Sequence, residues 1–218
     1  MKKRNILAIA PHADDVEIAM GGTIARYVDE GHNVTIVTAI IPQEDSKGKV
    51  DKFMTDNRLN EQKNAATVLG ANLDVMNLDP YKFDYNREFI KIFDEKINFY
   101  KPDIIFSCWE HDTHQDHKKL AQILFSVTRK NNISFNMYEV MLPGGINTYA
   151  FNPQYFVNIS KHIEKKIEAI KCYKSVFENK KNNYSKYFES IVARAKFRGE
   201  IIGVDYAEAF VVAKKIEI

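Results

Sequence analysis

Four side chains capable of acid–base or metal chemistry, His12, Asp14, Asp15 and Glu17, fall within the stretch Ile6–Ile24, ILAIAPHADDVEIAMGGTI. A second group, His111, His114, Asp116 and His117, lies far downstream. A catalytic zinc site takes three protein ligands from His, Asp and Glu and keeps one position open for water. His12 and Asp15 are spaced so that both can face one point from a turn. Asp14 and Asp15 are neighbours and cannot both ligate in the same direction. One carboxylate can therefore hold a metal while the other stays free beside it as a general base. If His117 supplies the third ligand, His114 is placed to hydrogen-bond a substrate oxygen, and Asp116 can orient an imidazole from behind. A metal held this way lowers the pKa of its water to about 7 and polarises a carbonyl. Together these parts suit amide hydrolysis, with metal and His114 holding the oxyanion.

The elements that must position these groups are legible from periodicity. Asn5–Ala10 is an almost wholly apolar run, as expected of a strand buried on both faces, and Pro11 ends it. Gly22–Glu30 reads as a helix with Gly31 just past its end. Asn33–Ile40 is a β-branched second strand, and Ile41–Asp56 a polar loop leaving it. The pattern then predicts a helix over Arg58–Leu69, a third strand over Asp74–Leu78, a loop over Asp79–Asn86 and a helix over Glu88–Tyr100. Asp103–Cys108 is the fourth strand, Trp109–Asp116 a loop and His117–Lys130 a helix. A fifth strand is expected over Phe135–Glu139, a loop at Pro143-Gly144-Gly145 and a short strand over Gln154–Ile159. A helix with Ile163, Ile167, Ile170 and Tyr173 inward, a polar loop over Asn179–Asn183, a helix over Tyr187–Ile201 and a strand over Ala209–Ala213 complete the chain.

Strands alternating with helices predict an α/β fold: a Rossmann-like, doubly wound, mostly parallel sheet with helices on both faces, in a single domain spanning 1–218. In the common doubly wound order, strands one and four are neighbours at the switch point, where ligands bind outside the carboxyl ends. That order brings His12 and Asp15 to His114 and His117.

Composition narrows the class. Apolar residues make up 45% and charged residues 28%, as in globular proteins in water, and the net charge of +2 argues for neither nucleic acid nor an anionic membrane as partner. The apolar run after MKKRN is too short for a signal peptide or a membrane span. Cys108 and Cys172 sit in apolar segments and read as buried thiols, which makes a cytoplasmic location the default; Cys108 is also close enough to the second cluster to line it.

Several residues have plainer readings. His32 and His162 read as caps or surface groups, Glu17 as structural rather than ligating, and the lysines from Lys161 to Lys186 as a solvated helix face. Gly21-Gly22 lacks the glycine fingerprint of a dinucleotide site and is expected to permit close helix–strand packing.

The string PHADDVE…GG, with HQDH after the fourth strand, resembles the PIG-L/LmbE-like family of metal-dependent sugar de-N-acetylases. NRLNEQKNAATVLGA looks like the family's R-x-x-E helix, and FRGEIIGVDYAEAF like its C-terminal R-G…G-x-x-Y-A-E-A-F segment. The resemblance covers most of the chain. It implies that His12, Asp15 and His117 bind one zinc ion per chain, with ferrous iron the alternative. It implies that Asp14 is the general base, that His114, polarised by Asp116, stabilises the oxyanion or acts as acid, and that Arg58 holds sugar hydroxyls. The implied substrate is an N-acetylglucosamine-type amino sugar conjugate, and the implied assembly a homo-oligomer. Ala13 stands where the family usually has proline, Thr113 where some members have a larger side chain, and His111 is additional.

Two rivals share some of these features. Asp pairs and His clusters also build two-metal phosphoester hydrolases. A Rossmann-like sugar- or nucleotide-binding protein would carry the fold without the metal.

Overall fold

Asn5–Ala10 forms β1, and all of it beyond Asn5 is buried. It is paired in parallel on both edges, with β2 (Asn33–Thr38) from Asn5↔Asn33 to Ala10↔Thr38 and with β6 (Ile104–Cys108) from Ile6↔Ile104 to Ala8↔Phe106. A central strand so enclosed has no wet face, which is why its sequence does not alternate. The computed structural model describes residues 2–44, 47–140, 149–178 and 185–217.

Around β1 the sheet runs β5 (Asn72–Val75), β2, β1, β6, β7 (Ser134–Tyr138), β9 (Ala207–Lys214) and β8 (Tyr155–Asn158). The first five are parallel; β9 runs antiparallel to β7, and β8 antiparallel to β9. The chain moves outward from β1 to β5, then returns through α3 (Arg87–Tyr100) to β6 on the other side of β1. The expected switch point therefore lies between the carboxyl ends of β1 and β6. Right-handed crossovers put α1 (Asp15–Asp29) and α2 (Lys52–Leu69) on one face, and α3 and α4 (Gln115–Thr128) on the other. α5 (Ile163–Lys171) packs on both α1 and α2. The short α6 (Lys174–Phe177) follows it, and α7 (Ser185–Ile202) packs on β9.

The helices around the switch point begin earlier than periodicity predicts. α1 starts at Asp15 rather than Gly22, and α4 at Gln115 rather than His117. Their first turns carry polar residues, which an apolar stripe cannot reveal. Ile41–Asp56 is likewise not one loop. Gln43–Glu44 (β3) pairs antiparallel with Val50–Asp51 (β4), and Asp51 then caps α2 by accepting the Met54 N–H at 2.9 Å. The loops expected at Pro143-Gly144-Gly145 and Asn179–Asn183 lie outside the described residues.

The solvated lysine face needs a correction at Lys166, which is 2% exposed. α1 is kinked at Met20 (φ −141°, ψ 21°), and the kink frees backbone groups inside the protein. Lys166 Nζ donates to the Ile18 carbonyl at 2.8 Å and also to Glu208 Oε1. The Glu208 carboxylate, on β9, accepts the Gly22 N–H at 3.1 Å and the Thr23 N–H at 2.6 Å. A buried ion pair thus caps both sides of the break. Gly22 is required by close approach, as expected of the glycine pair: a Cβ there would stand 2.6 Å from Ile159 Cδ1.

Candidate active site

The turn from β1 into α1 sets one half of the site. Asp14 sits in the left-handed region (φ 90°, ψ −29°), which a residue other than glycine seldom occupies. That conformation separates its carboxylate from the carboxylate of Asp15, the first residue of α1. Asp15 Oδ2 accepts the His12 backbone N–H at 3.1 Å and stands 3.4 Å from His12 Nδ1. The loop from β6 into α4 supplies the other half. His114 caps α4, its Nδ1 accepting the Asp116 N–H at 3.2 Å. His117, in the first turn, places Nε2 at 3.4 Å from the same Asp15 Oδ2.

His12, Asp14, Asp15, His114, Asp116 and His117 meet here, whereas His111 stands apart against Trp109 and Tyr149. The His12 and His114 rings are 4.7 Å apart, His114 and His117 4.9 Å, and His12 and His117 5.5 Å between centroids. One ring nitrogen from each of the three histidines lies within 4.8 Å of the others, so this group could hold a metal ion. The Asp15 carboxylate offers a second candidate set with His12 and His117. A tetrahedral ion with bonds of about 2.0–2.1 Å keeps its ligand atoms about 3.3–3.4 Å apart. Both Asp15 contacts have that length. The outer nitrogens of His12 and His117 also rest on carboxylates: His12 Nε2 is 3.1 Å from Asp116 Oδ2, and His117 Nδ1 is 3.0 Å from Asp112 Oδ2. Carboxylates behind imidazoles are the usual means of aiming histidine ligands. The residues present therefore fit a metal.

Electrostatics divide the aspartate pair. Burial works against an ionised Asp15, but the His117 and His12 imidazoles outweigh it and hold its carboxyl below the ordinary range. Asp14 is pushed up to about 7, chiefly by burial and further by the charge of Asp15, with Arg58 opposing. Burial also opposes a charged His12, yet its hydrogen bonds to Asp116 and Asp15 raise it to about 9. His117 is raised as well, Asp15 and Asp112 overcoming burial. His114 moves the other way, lowered by burial and by the neighbouring His12 and His117.

Arg58 lies midway along α2 and reaches Asp14 Oδ2 with Nη1 at 3.2 Å. Its Nε is 3.4 Å from Glu61 Oε2, and Nη2 donates to Ser175 Oγ at 3.3 Å. Ser175 in turn donates to Glu61 through its N–H and hydroxyl, at 2.7 and 2.6 Å. Arg58, expected to hold sugar hydroxyls, is thus in contact with Asp14. Asp116, expected to polarise His114, has its carboxylate closer to His12 (3.1 Å) than to His114 (3.9 Å). Glu17 is 0% exposed, and burial pushes it up to about 7 against the Tyr173 hydroxyl beside it. Cys108 is buried beside His117, its thiol pushed up to about 12 by burial, while Cys172 is half-buried; both are free.

Sequence reasoning passed over Asp112 and Ser175, gave Glu61 and Glu208 no role beyond their places in the R-x-x-E and Y-A-E-A-F motifs, and read Lys166 as solvated. Asp112 carried a signal, standing between two histidines in EHDTHQDH, and Glu61 another, one helical turn from Arg58. Nothing local marked Ser175 or Lys166.

The family model described as PIG-L, GlcNAc-PI de-N-acetylase, matches residues 7–128, more than half of the chain. Diacetylchitobiose deacetylase of Thermococcus kodakarensis is 27% identical over 223 residues, covering 94% of this chain and 81% of that protein. Among solved structures, the conserved protein TT1542 from Thermus thermophilus superposes with a TM-score of 0.80 at 24% identity, over 99% of this chain and 97% of that one. GalB, the 4-carboxy-2-hydroxymuconate hydratase of Pseudomonas putida KT2440, reaches 0.75 at 18% identity, over 100% and 98%. At such identities the structures share the fold, and the fold carries more than one chemistry. No described helix is long and apolar enough to cross a membrane.

Proposed function

The chain belongs to the PIG-L family, and from that premise we propose that it is a metal-dependent amidohydrolase that removes the acetyl group from an N-acetylglucosamine-type conjugate. The observation that carries this reading is the divided aspartate pair: Asp15 faces two imidazoles, while Asp14 is turned away and held ready to exchange a proton. His12, Asp15 and His117 would hold the ion, one per chain, zinc first and ferrous iron as the alternative. Such an ion supplies a Lewis acid that acidifies water and polarises the amide carbonyl.

The chain's own groups do the rest. Asp14 takes a proton from the attacking water and returns one to the departing nitrogen, and a carboxyl poised near 7 suits both directions. Arg58 holds Asp14 in place and keeps its ionised form within reach. His114 is kept neutral, and the Asp116 N–H on Nδ1 leaves Nε2 to carry the proton. It donates that N–H to the carbonyl oxygen as negative charge develops there. The bond made is water oxygen to acyl carbon and the bond broken is acyl carbon to nitrogen, leaving acetate and a free amine. Residues 1–218 act as one domain, and the two free cysteines suit a reducing, cytoplasmic setting. Exposed Phe53, Phe99 and Phe197 offer surfaces for homo-oligomer formation.

A two-metal phosphoester hydrolase is less well supported, because a single group of potential ligands is found among the described residues. The test is to purify the protein without chelator, measure metal per chain and assay acetate release from N-acetylglucosamine conjugates. About one ion per chain with acetate release is expected. Two ions per chain with phosphoester cleavage, or no metal after reconstitution with zinc or ferrous iron, would overturn the reading.

A further inference from the structure

Arg58 stands between two carboxylates that compete for it. Glu61 lies one turn further along α2 on the same face, and an arginine and a glutamate so spaced pair readily on a helix. Unhindered, they would close into a two-pronged ion pair, because the guanidinium fork matches the edge of a carboxylate. That pairing does not form. Arg58 Nε stays 3.4 Å from Glu61 Oε2, while Nη1 reaches Asp14 Oδ2 at 3.2 Å. The cause lies on α6. The Ser175 N–H donates to Glu61 Oε1 at 2.7 Å and its hydroxyl to Oε2 at 2.6 Å, so both oxygens are occupied. The same hydroxyl oxygen accepts from Arg58 Nη2 at 3.3 Å. Tyr173, fully buried, sets its ring 5.9 Å from the guanidinium carbon and its hydroxyl beside Glu17.

We propose that Ser175 is a positioning residue for the reaction: by occupying both oxygens of Glu61 it keeps Arg58 from closing on that carboxylate and leaves Nη1 to Asp14. The proposal rests on the de-N-acetylase reading, in which Asp14 moves the protons. It adds a residue from beyond 7–128, the stretch that the family model matches. Asp14 holds a strained backbone conformation (φ 90°), so its carboxylate keeps its aim only while a group outside the turn holds it. Arg58 is that group, and an arginine left unbraced has many rotamers to explore. Ser175 fixes the guanidinium from a segment that is itself anchored, since α5 packs on α2 and both Tyr173 and Val176 are buried. Ser175 is exposed on its outer side, so removing its hydroxyl leaves no cavity in the core and the fold is expected to stand.

The experiment compares metal-loaded wild type, Ser175→Ala and Ser175→Thr. Heteronuclear NMR spectra of the Arg58 guanidinium, assigned by its absence from Arg58→Lys, read the grip directly. A guanidinium bonded through both Nη groups turns slowly about its Cζ–Nε bond and shows them apart, whereas a loose one averages them. Acetate release from N-acetylglucosamine and from N,N′-diacetylchitobiose reads the consequence. Wild type and Ser175→Thr are expected to show separate Nη signals, and Ser175→Ala a single averaged one. The kcat of Ser175→Ala should fall about tenfold with KM held within about twofold, and Ser175→Thr should stay within about twofold of wild type on both constants. Separate Nη signals in Ser175→Ala, averaged signals with kcat unmoved, or a loss that threonine does not rescue would overturn the proposal and leave the deacetylase reading standing. A rise in KM with kcat held would overturn it too, by giving Ser175 to substrate binding. No acetate from wild type, with signals that average only in Ser175→Ala, would uphold Ser175 as the residue that sets Arg58 on Asp14 and overturn the deacetylase reading instead. No acetate and no change of signals would overturn both.

Discussion

At one end of the first turn of α1, His12, Asp14, Asp15 and His117 crowd together with Glu17 beneath them. At the other end, Lys166, Glu208 and Arg194 gather at the kink. Both groups are buried and ionic, yet they are built differently. At the kink, Glu208 accepts from Gly22, Thr23 and Lys166, while Lys166 and Arg194 both donate to the Ile18 carbonyl, and Arg194 also to the Glu139 carbonyl. Each charge there answers a group that the kink set free. At the site, by contrast, burial pushes the Asp14 carboxyl up to about 7 against Arg58, its salt-bridge partner, and pushes Glu17 up to about 7 with no charged partner beside it, only the Tyr173 hydroxyl. Matched buried charge holds a backbone in place; mismatched buried charge stores the capacity to move protons and bind cations.

Three substitutions would break or sharpen that contrast. The largest effect is expected from Asp14→Asn, which removes the proton acceptor while leaving His12, Asp15 and His117 intact. Turnover should fall about 10²–10⁴-fold with metal content and thermal midpoint unchanged. Loss of metal with the activity would mean that Asp14 belongs among the ligands.

Next comes Glu208→Ala. It strands Lys166 and two backbone N–H groups in the interior, and urea unfolding should show a loss of about 3–5 kcal/mol. A loss below about 1 kcal/mol would mean that water enters the kink and that the pair is not the brace described above.

The smallest effect belongs to Glu17→Met. A buried carboxyl with no charged partner, touched only by the Tyr173 hydroxyl, is replaced by an apolar chain of similar length, so stability should rise by about 1 kcal/mol, read from the same urea curves. A fall would show that the Tyr173 hydroxyl outweighs the burial of Glu17 and that the contrast between the two clusters is weaker than drawn.

Much of this was legible beforehand, for reasons that are local. β1 reads as an unbroken apolar run because it is paired on both edges and covered on both faces. The alternation of strands and helices, with short connections, leaves few topologies, and the doubly wound one brings the ends of β1 and β6 together. The aspartate pair and the two histidine spacings follow from residue type and turn geometry. The start of α1 and of α4 was not legible, since their first turns carry His, Asp and Glu where an apolar pattern is sought.

The sequence by itself determined the strand–helix alternation, the hand-over of β1 to a polar turn, and which His and Asp side chains gather at the ends of β1 and β6, because these depend on backbone period and near-neighbour spacing. Tertiary structure alone decided their pairing. It set Asp116 behind His12, Asp112 behind His117 and Arg58 against Asp14, and it buried Lys166 among its solvated neighbours to meet Glu208. Those contacts join segments far apart in the chain, and no local pattern encodes which of several carboxylates will face which imidazole once the sheet has closed around β1.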